Sequence, residues 1–164
     1  MTFVSDKIKG ENAEDSVAKI LSQNWDVHKA SDLEVGAFSD WDLSVSQSGT
    51  GYEVFTVEVK YDEMQAKTGN IAIEIYNPKS AKPSGLTATK ATLWCHVLQG
   101  SIWITSVDKL KKFCEDKTPF KSFNSVGDGN ASILLYKTDD ILEIFERVDN
   151  SSKEHFIKQI RGLI

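Results

Sequence analysis

An acidic and a basic side chain stand two positions apart in a segment with the pattern of a β-strand. Apolar and polar residues alternate through residues 55–60, and successive side chains of a strand point to opposite faces. Val57 and Val59 are therefore expected in a core, while Glu58 and Lys60 point together to the other face. The pattern predicts a carboxylate and an amine side by side on one surface.

A second carboxylate precedes this segment, and residues 40–45 alternate in the same way. One side holds Trp41, Leu43 and Val45, and the other holds Asp40, Asp42 and Ser44. The glycine-containing stretch 47–51 predicts a hairpin that pairs the two strands. Asp42 is preferred as the site carboxylate because the residues after it continue the strand register, and Asp40 stays open as a neighbouring or second-metal group.

Carboxylates held this close favour a bound cation. Two neighbouring carboxylates repel each other, and a hard divalent metal with oxygen ligands relieves that repulsion. Lys60 cannot ligate such a metal while it is charged, but it can hold a water or a phosphate beside it and offset developing negative charge. Two acids and a lysine around Mg²⁺ therefore point to metal-assisted hydrolysis of a phosphodiester bond.

These residues resemble the PD-(D/E)XK nuclease superfamily, whose core is an acid on one strand and acid-X-lysine on the next. Asp42 followed by Glu58-Val59-Lys60 matches that order. The resemblance implies a restriction-endonuclease-like α/β (α+β) fold, a mixed central sheet flanked by helices. It also implies a Mg²⁺ or Mn²⁺ ion on Glu14, Asp42, Glu58 and the Val59 carbonyl. Residues 39–42 lack the proline that names the motif, which leaves open whether Asp40 or Asp42 is the ligand.

The helix predicted over residues 5–23 carries an acid on its apolar face. Glu14 shares that face with Val17, Ala18 and Leu21, at the i+3, i+4 and i+7 spacings. One interpretation is that Glu14 sits at the edge of the stripe and reaches water. The other follows from the surrounding Lys-Gly-Glu-Asn-Ala-Glu sequence, which resembles the first helix of archaeal Holliday-junction resolvases in the same superfamily. That resemblance implies a helix glutamate that completes the metal site.

Residues 71–76 return to strict alternation, with three isoleucines on one face and Glu74 on the other. Glu74 is open as a fourth site carboxylate or as an ordinary exposed strand acid. Residues 69–74 and 84–91 resemble segments of small phage-borne members of the nuclease family.

A basic stretch accompanies the candidate site. Residues 60–90 hold five lysines against three acids, which reverses the sign of the whole chain. The stretch is either a rim that contacts the phosphate backbone or a solvated loop that happens to hold lysines. The candidate DNA contacts are Lys79, Lys82, Thr89 and Lys90.

Composition indicates one α/β domain over residues 1–164, with the motif core at about 5–91. The chain has 164 residues, 40% of them hydrophobic, and a net charge of −5, which argues against broad non-specific DNA affinity but allows a local basic groove. Cys95 and Cys114 lack metal spacing and are expected as reduced thiols. No apolar run is long enough to span a membrane and no signal-peptide pattern opens the chain, so a cytoplasmic protein is expected, in the host cytoplasm if phage-encoded.

The second half of the chain shows elements but no obvious chemistry. Residues 92–96 and 102–105 predict a hairpin, residues 106–115 a helix, 131–136 a strand, and 151 onward a capped C-terminal helix. Residues 118–130 read as irregular, and 141–148 as strand or helix. The three histidines, His28, His96 and His155, are isolated in sequence and suggest no zinc site.

The sequence thus predicts a Mg²⁺- or Mn²⁺-dependent DNA endonuclease acting on branched or duplex DNA. Its expected partner is DNA, without membrane association, and a homodimer stays open. A different class also stays open, a nuclease fold kept as a non-catalytic protein- or nucleic-acid-binding module.

Overall fold

A computed structural model describes residues 3–32, 40–78, 81–123 and 131–164. The helices are α1 (Phe3–Leu21), α2 (Gln65–Thr68), α3 (Val107–Asp116), α4 (Thr138–Leu142) and α5 (Lys153–Leu163). The strands are β1 (Asp26–Lys29), β2 (Leu43–Ser46), β3 (Glu53–Tyr61), β4 (Asn70–Asn77), β5 (Lys82–Pro83), β6 (Leu93–Leu98), β7 (Ser101–Ser106), β8 (Lys121–Phe123), β9 (Ser132–Lys137) and β10 (Glu146–Arg147). Short 3₁₀ turns follow β1 and β5, at Ala30–Asp32 and Gly85–Thr87.

The first sheet has six strands in the order β1-β2-β3-β6-β7-β10. All neighbours are antiparallel except β3 and β6, which run parallel. The mixed α/β architecture and the central mixed sheet predicted from the sequence are therefore confirmed. The β2–β3 hairpin turns through Gly49 and Gly51, both with positive φ, 77° and 70°, a conformation that glycine adopts without strain.

A second sheet of four antiparallel strands, in the order β5-β4-β9-β8, was not expected as a separate layer. The alternation read at residues 71–76 forms β4, and Ile71 and Ile73 are fully buried. Residues 118–130, read as irregular, contain β8 at their centre. Residues 141–148, read as one element, contain the end of α4 and the short strand β10.

Two apolar clusters separate three layers. The first joins α1 and α5 to one face of the six-stranded sheet, and it includes Val17, Val57, Val59 and Phe156. The second fills the space between the two sheets and beneath α3. Because β3 alternates, Glu58 and Lys60 point away from the α1 cluster and toward the second sheet.

The apolar stripe of α1 is buried as predicted, with Ala13, Val17 and Leu21 at 5% exposure or less. Trp41 differs from its prediction, because it packs on the second cluster while Leu43 and Val45 pack on the first. The reason is that β2 begins only at Leu43, so strand alternation does not extend back to Trp41. No helix in the described part of the chain is long and apolar enough to cross a membrane.

Candidate functional site

Asp42 and Glu58 are neighbours across the β2–β3 pair. The register sets Leu43 opposite Val57, and the Asp42 amide donates a 3.0 Å hydrogen bond to the Val57 carbonyl. The Asp42 carboxylate in turn accepts a 2.7 Å bond from the Val59 amide. These contacts hold Asp42 beside the Glu58 position, on the side of the sheet away from Val57. The predicted choice of Asp42 as the carboxylate next to Glu58 thus agrees with the backbone register.

Glu58 is almost completely buried, and both of its oxygens have partners. One oxygen lies 2.7 Å from the Lys60 amine, and the other lies 3.0 Å from the Thr89 hydroxyl. The Lys60 amine also lies 5.9 Å from the ring centroid of Trp94, which is fully buried beneath it. The acid and the lysine of the strand motif therefore form an ion pair at the floor of the site, held on one side by Thr89.

The electrostatics of this group favour a bound cation. Burial first, and then the charge of Glu58, raise the pKa of Asp42 to about 6, against the partial compensation of Lys60. Burial opposes the charged form of Lys60, but the carboxylates of Glu58 and Asp42 outweigh it and raise the pKa of this amine. The lysine stays protonated, and one positive charge does not fully offset the buried Glu58 carboxylate together with the half-buried Asp42 carboxylate.

Glu14 reaches the same cleft from α1. Its carboxylate pairs with Lys29 at 3.5 Å, and Lys29 also contacts Asp15 at 2.7 Å. Burial raises the pKa of Glu14, while Lys29 and more weakly Lys60 act to lower it. Glu14 therefore stands at the edge of the site with a partner on β1 that the sequence did not indicate.

A cleft of about 520 Å³ is lined by Glu14, Asp42 and Lys60, with Glu58 buried behind it. Its walls carry two amines, from Lys9 and Lys60, and five carboxylates, from Glu14, Asp42, Asp62, Glu63 and Glu74. Glu74 faces this cleft from β4, and its charge contributes to the raised pKa of Lys60. The cleft is acidic as a whole, which suits a divalent cation better than a bare phosphate.

The remaining predicted residues have other positions. Asp40 pairs through its carboxylate with Lys90 at 2.9 Å, so both lie outside the cleft as a surface ion pair. Thr89 is only 6% exposed and its hydroxyl lies on Glu58, so it positions the acid instead of contacting DNA as predicted. Lys82 is exposed on β5, and Lys79 lies outside the described residues.

Sequence reasoning missed Asp62 and His96, which also line the cleft. The Asp62 carboxylate accepts hydrogen bonds from the amides of Gln65, at 3.0 Å, and Ala72, at 3.1 Å. His96 is 1% exposed, accepts a 3.2 Å bond on Nδ1 from the Trp94 indole, and points Nε2 at Asp62 from 3.5 Å. The signal for His96 is its position in the sheet, because β6 pairs with β3 and sets His96 opposite Lys60.

Oxygen donors for a metal ion are present at the site but are engaged with other groups. Among the described residues, no three His, Cys, Asp or Glu side chains form a group that could hold a metal as they stand. Glu58 is turned onto Lys60 and Thr89, and Glu14 onto Lys29. The donor chemistry nevertheless fits Mg²⁺ or Mn²⁺, because all candidate ligands are hard oxygens and Asp42 carries an incompletely compensated charge. Asp42, Glu58 and the Val59 carbonyl would hold the ion, joined by Glu14 if it leaves Lys29.

Comparisons of this chain with protein-family models, with curated proteins and with solved structures found no match. The nuclease resemblance therefore depends on the order and placement of Glu14, Asp42, Glu58 and Lys60 themselves.

Proposed function

We propose that this protein is a divalent-metal-dependent endodeoxyribonuclease. The observation that carries the proposal is that Asp42 and Lys60 line one acidic cleft while Glu58 is buried against Lys60, so that burial and the Glu58 charge raise the pKa of Asp42 to about 6. An ion pair with a purely structural role would need only Glu58 and Lys60. The additional carboxylate of Asp42 repels Glu58 and is electrostatically unfavourable. Titratable groups that lie in a cleft and have pKa values shifted by burial and by neighbouring charges are typical of functional sites.

Each residue has a distinct task in this proposal. Asp42 and Glu58 supply oxygen ligands, Glu14 adds a third carboxylate from α1, and Thr89 fixes the orientation of Glu58. Mg²⁺ or Mn²⁺, when bound, lowers the pKa of a water molecule and polarises the phosphate. Lys60 orients the attacking water and, because it stays protonated, offsets the negative charge that develops on the phosphorus oxygens.

The substrate proposed is DNA, in branched or duplex form. A long polyanion approaches an acidic cleft only if its phosphates meet cations elsewhere, so the lysines outside the cleft must supply the electrostatic attraction. Lys90, already paired with Asp40, is a weaker candidate than the sequence indicated, while Lys82 remains exposed.

A non-catalytic binding module is the second candidate, and one observation favours it. Both oxygens of Glu58 are engaged within the protein, so a metal ion would have to share them with Lys60 and Thr89 or displace one of these partners. A module that had lost catalysis would keep such an ion pair as part of its core.

Cleavage assays separate the two candidates. The protein is incubated with supercoiled plasmid, linear duplex and four-way-junction DNA, in Mg²⁺, Mn²⁺ or EDTA. Glu58→Gln and Lys60→Ala are compared with Lys112→Ala, which removes an exposed lysine on α3. We expect metal-dependent cleavage that both site variants lose by at least about 100-fold, with Lys112→Ala unchanged. Cleavage in EDTA would exclude the metal mechanism, and no cleavage on any substrate would support the binding module.

A further inference from the structure

We propose that the outer face of the second sheet binds a single-stranded segment of the DNA beside the cleft. This inference rests on the proposed function, because it assigns the part of the substrate that lies next to the scissile bond. The surface is called the lysine–aromatic face, and it consists of Phe120, Lys121, Phe123, Ile133, Leu135 and Lys137.

The lysine–aromatic face is continuous with the cleft. Ile133 lines the cleft together with Ala72 and Glu74 of β4. Register sets Glu74 opposite Ile133 on β9 and Ile133 opposite Phe123 on β8, and paired residues of neighbouring strands share a face. From Ile133 the surface runs along β9 to Lys137, a distance of about 14 Å at the usual rise of a strand. That length corresponds to about four nucleotides of a B-form strand.

Cations and aromatic rings alternate along this surface. The Lys137 amine lies 3.8 Å from the ring centroid of Phe120, and the Lys121 amine lies 4.8 Å from that of Phe123. Phe120 is 59% exposed, unusual for a phenylalanine in a packed protein. Within the described residues, neither lysine pairs with a carboxylate. Each amine therefore lies over a phenylalanine ring and has no carboxylate partner among the described residues.

Single-stranded DNA matches this chemistry better than a duplex. Exposed rings stack on unpaired bases, and neighbouring lysines neutralise the backbone, a combination typical of single-strand binding surfaces. A duplex hides its base faces and would leave the rings without a partner. A second copy of this chain carries the same net charge of −5 and would be repelled overall. Contact between two copies through this face would also place these lysines against each other. The positive charge here also supplies the attraction that the acidic cleft lacks.

Binding is measured by fluorescence anisotropy in EDTA, with a labelled single-stranded oligonucleotide and a duplex of the same sequence. Lys121→Glu/Lys137→Glu is compared with Lys153→Glu/Lys158→Glu, which changes the net charge equally on α5. We expect the first pair to weaken single-strand binding at least about 10-fold and to reduce the salt slope by about 1.4, while the α5 pair changes it less than about two-fold. Phe120→Ala should weaken single-strand binding about five-fold or more and leave duplex binding nearly unchanged.

Several outcomes would overturn this assignment. They are an absence of single-strand binding by the unaltered protein, an equal loss from both lysine pairs, or an equal effect of Phe120→Ala on both DNAs. A change in sedimentation of Lys121→Glu/Lys137→Glu would instead assign the face to a second copy. Circular-dichroism melts confirm that the variants fold. Since binding is measured without metal, failure to cleave any of the three DNA substrates would reject the nuclease proposal while leaving this test of the surface intact.

Discussion

Glu58 depends on a residue that lies on a different part of the chain. The buried Thr89 hydroxyl contacts one oxygen of this carboxylate, and Lys60 contacts the other. We expect Thr89→Val, which keeps the shape but removes the hydroxyl, to slow metal-dependent DNA cleavage about 10-fold or more, because it leaves a buried carboxylate oxygen unpaired and free to rotate. Cleavage rates at saturating Mg²⁺ measure the effect.

Thr89→Ser is the matched control for this prediction, since it retains the hydroxyl. It should recover most of the cleavage rate, within about three-fold of the unaltered protein. If serine and valine were equally slow, the methyl group and its packing would matter, and the hydrogen bond to Glu58 would not be the cause.

We expect the charged Asp42 carboxylate to lower the stability of the folded protein at neutral pH, in exchange for its role in the site. Its pKa of about 6 in the folded protein exceeds the ordinary value near 4. For a carboxyl group with a raised folded pKa, the favourable contribution is complete below pH 4 and is lost as the pH rises through 6. We therefore expect Asp42→Asn to raise the free energy of unfolding by about 1–3 kcal/mol at pH 7.5, in EDTA, and to have little effect at pH 4.

Urea unfolding at both pH values measures this difference. The asparagine oxygen can still accept the Val59 amide, so that hydrogen bond is not lost. A variant that is less stable at pH 7.5 would contradict the repulsion between Asp42 and Glu58. The same variant should lose DNA cleavage, since a charged ligand is removed.

At the level of single residues, the sequence predicts the candidate site residues better than it predicts the residues that contact and orient them. Alternation places Glu58 and Lys60 on one face, and the predicted hairpin between the two strands sets Asp42 beside them. Lys29 and Thr89 could not be found in this way, because each contacts the site across a fold-dependent distance that no local pattern encodes. Thr89 was instead predicted to contact DNA, from its place beside an exposed lysine.

At the level of elements, Asp62 connects the helix and the strands that form the wall of the cleft. Its carboxylate accepts the amide of Gln65, at the start of α2, and that of Ala72 in β4, while its own amide donates to Val97 of β6. Burial acts to raise the pKa of Asp62, but the neighbouring His96 imidazole and the hydrogen bonds from the Ala72 and Gln65 amides outweigh it and lower this pKa. Asp62 therefore connects the two sheets at the rim of the site, through its carboxylate to β4 and through its backbone amide to β6.

We expect Asp62→Ala to lower the free energy of unfolding by about 2–3 kcal/mol at pH 7, because two backbone donors lose their acceptor. A lowered folded pKa stabilises the fold above the unfolded value near 4, and that stability is lost as the pH falls through the folded pKa. The difference between the variant and the unaltered protein should therefore shrink below pH 4. Urea unfolding at pH 7 and pH 3 provides the measurement.

Asp116→Ala is the control for Asp62, because Asp116 is exposed and pairs only with Lys112 among the described contacts. Its effect should stay below about 0.5 kcal/mol. Equal effects of the two substitutions would mean that Asp62 does not connect the sheets in the way its contacts indicate.

Element boundaries followed local periodicity wherever the element was long enough to show it. The stripe of α1 and the alternation of β3 and β4 were predicted within a few residues. The four-residue helix α2 is too short for a helical period, and a loop was expected there. The second sheet could not be predicted because β4 pairs with β9, far along the chain, and strand partners leave no mark on either strand alone.

At the level of the whole molecule, the site lies where three layers meet. The helix α1 contributes Glu14, the central sheet Asp42 and Lys60, and the second sheet Glu74, all lining one cleft. Glu58 is buried behind this lining, paired with Lys60. So many carboxylates around one cleft repel each other unless a cation compensates their charge. The chain as a whole carries a net charge of −5, to which the cleft carboxylates contribute, so the field around the cleft attracts cations.

Divalent metal alone should therefore stabilise the fold, without DNA. A ligand that binds only the folded state adds about 2.7 kcal/mol at a hundred times its dissociation constant, or about 5–10 °C in Tm for a chain of this size. We expect Mg²⁺ and Mn²⁺ to raise Tm relative to EDTA, at an ionic strength matched with NaCl. Asp42→Asn and Glu58→Gln should each lose most of that rise, whereas Asp116→Ala should keep it. A rise shared by all variants would indicate general screening of the surface charge, and no rise in the unaltered protein would mean that the carboxylates of this cleft do not bind the ion together.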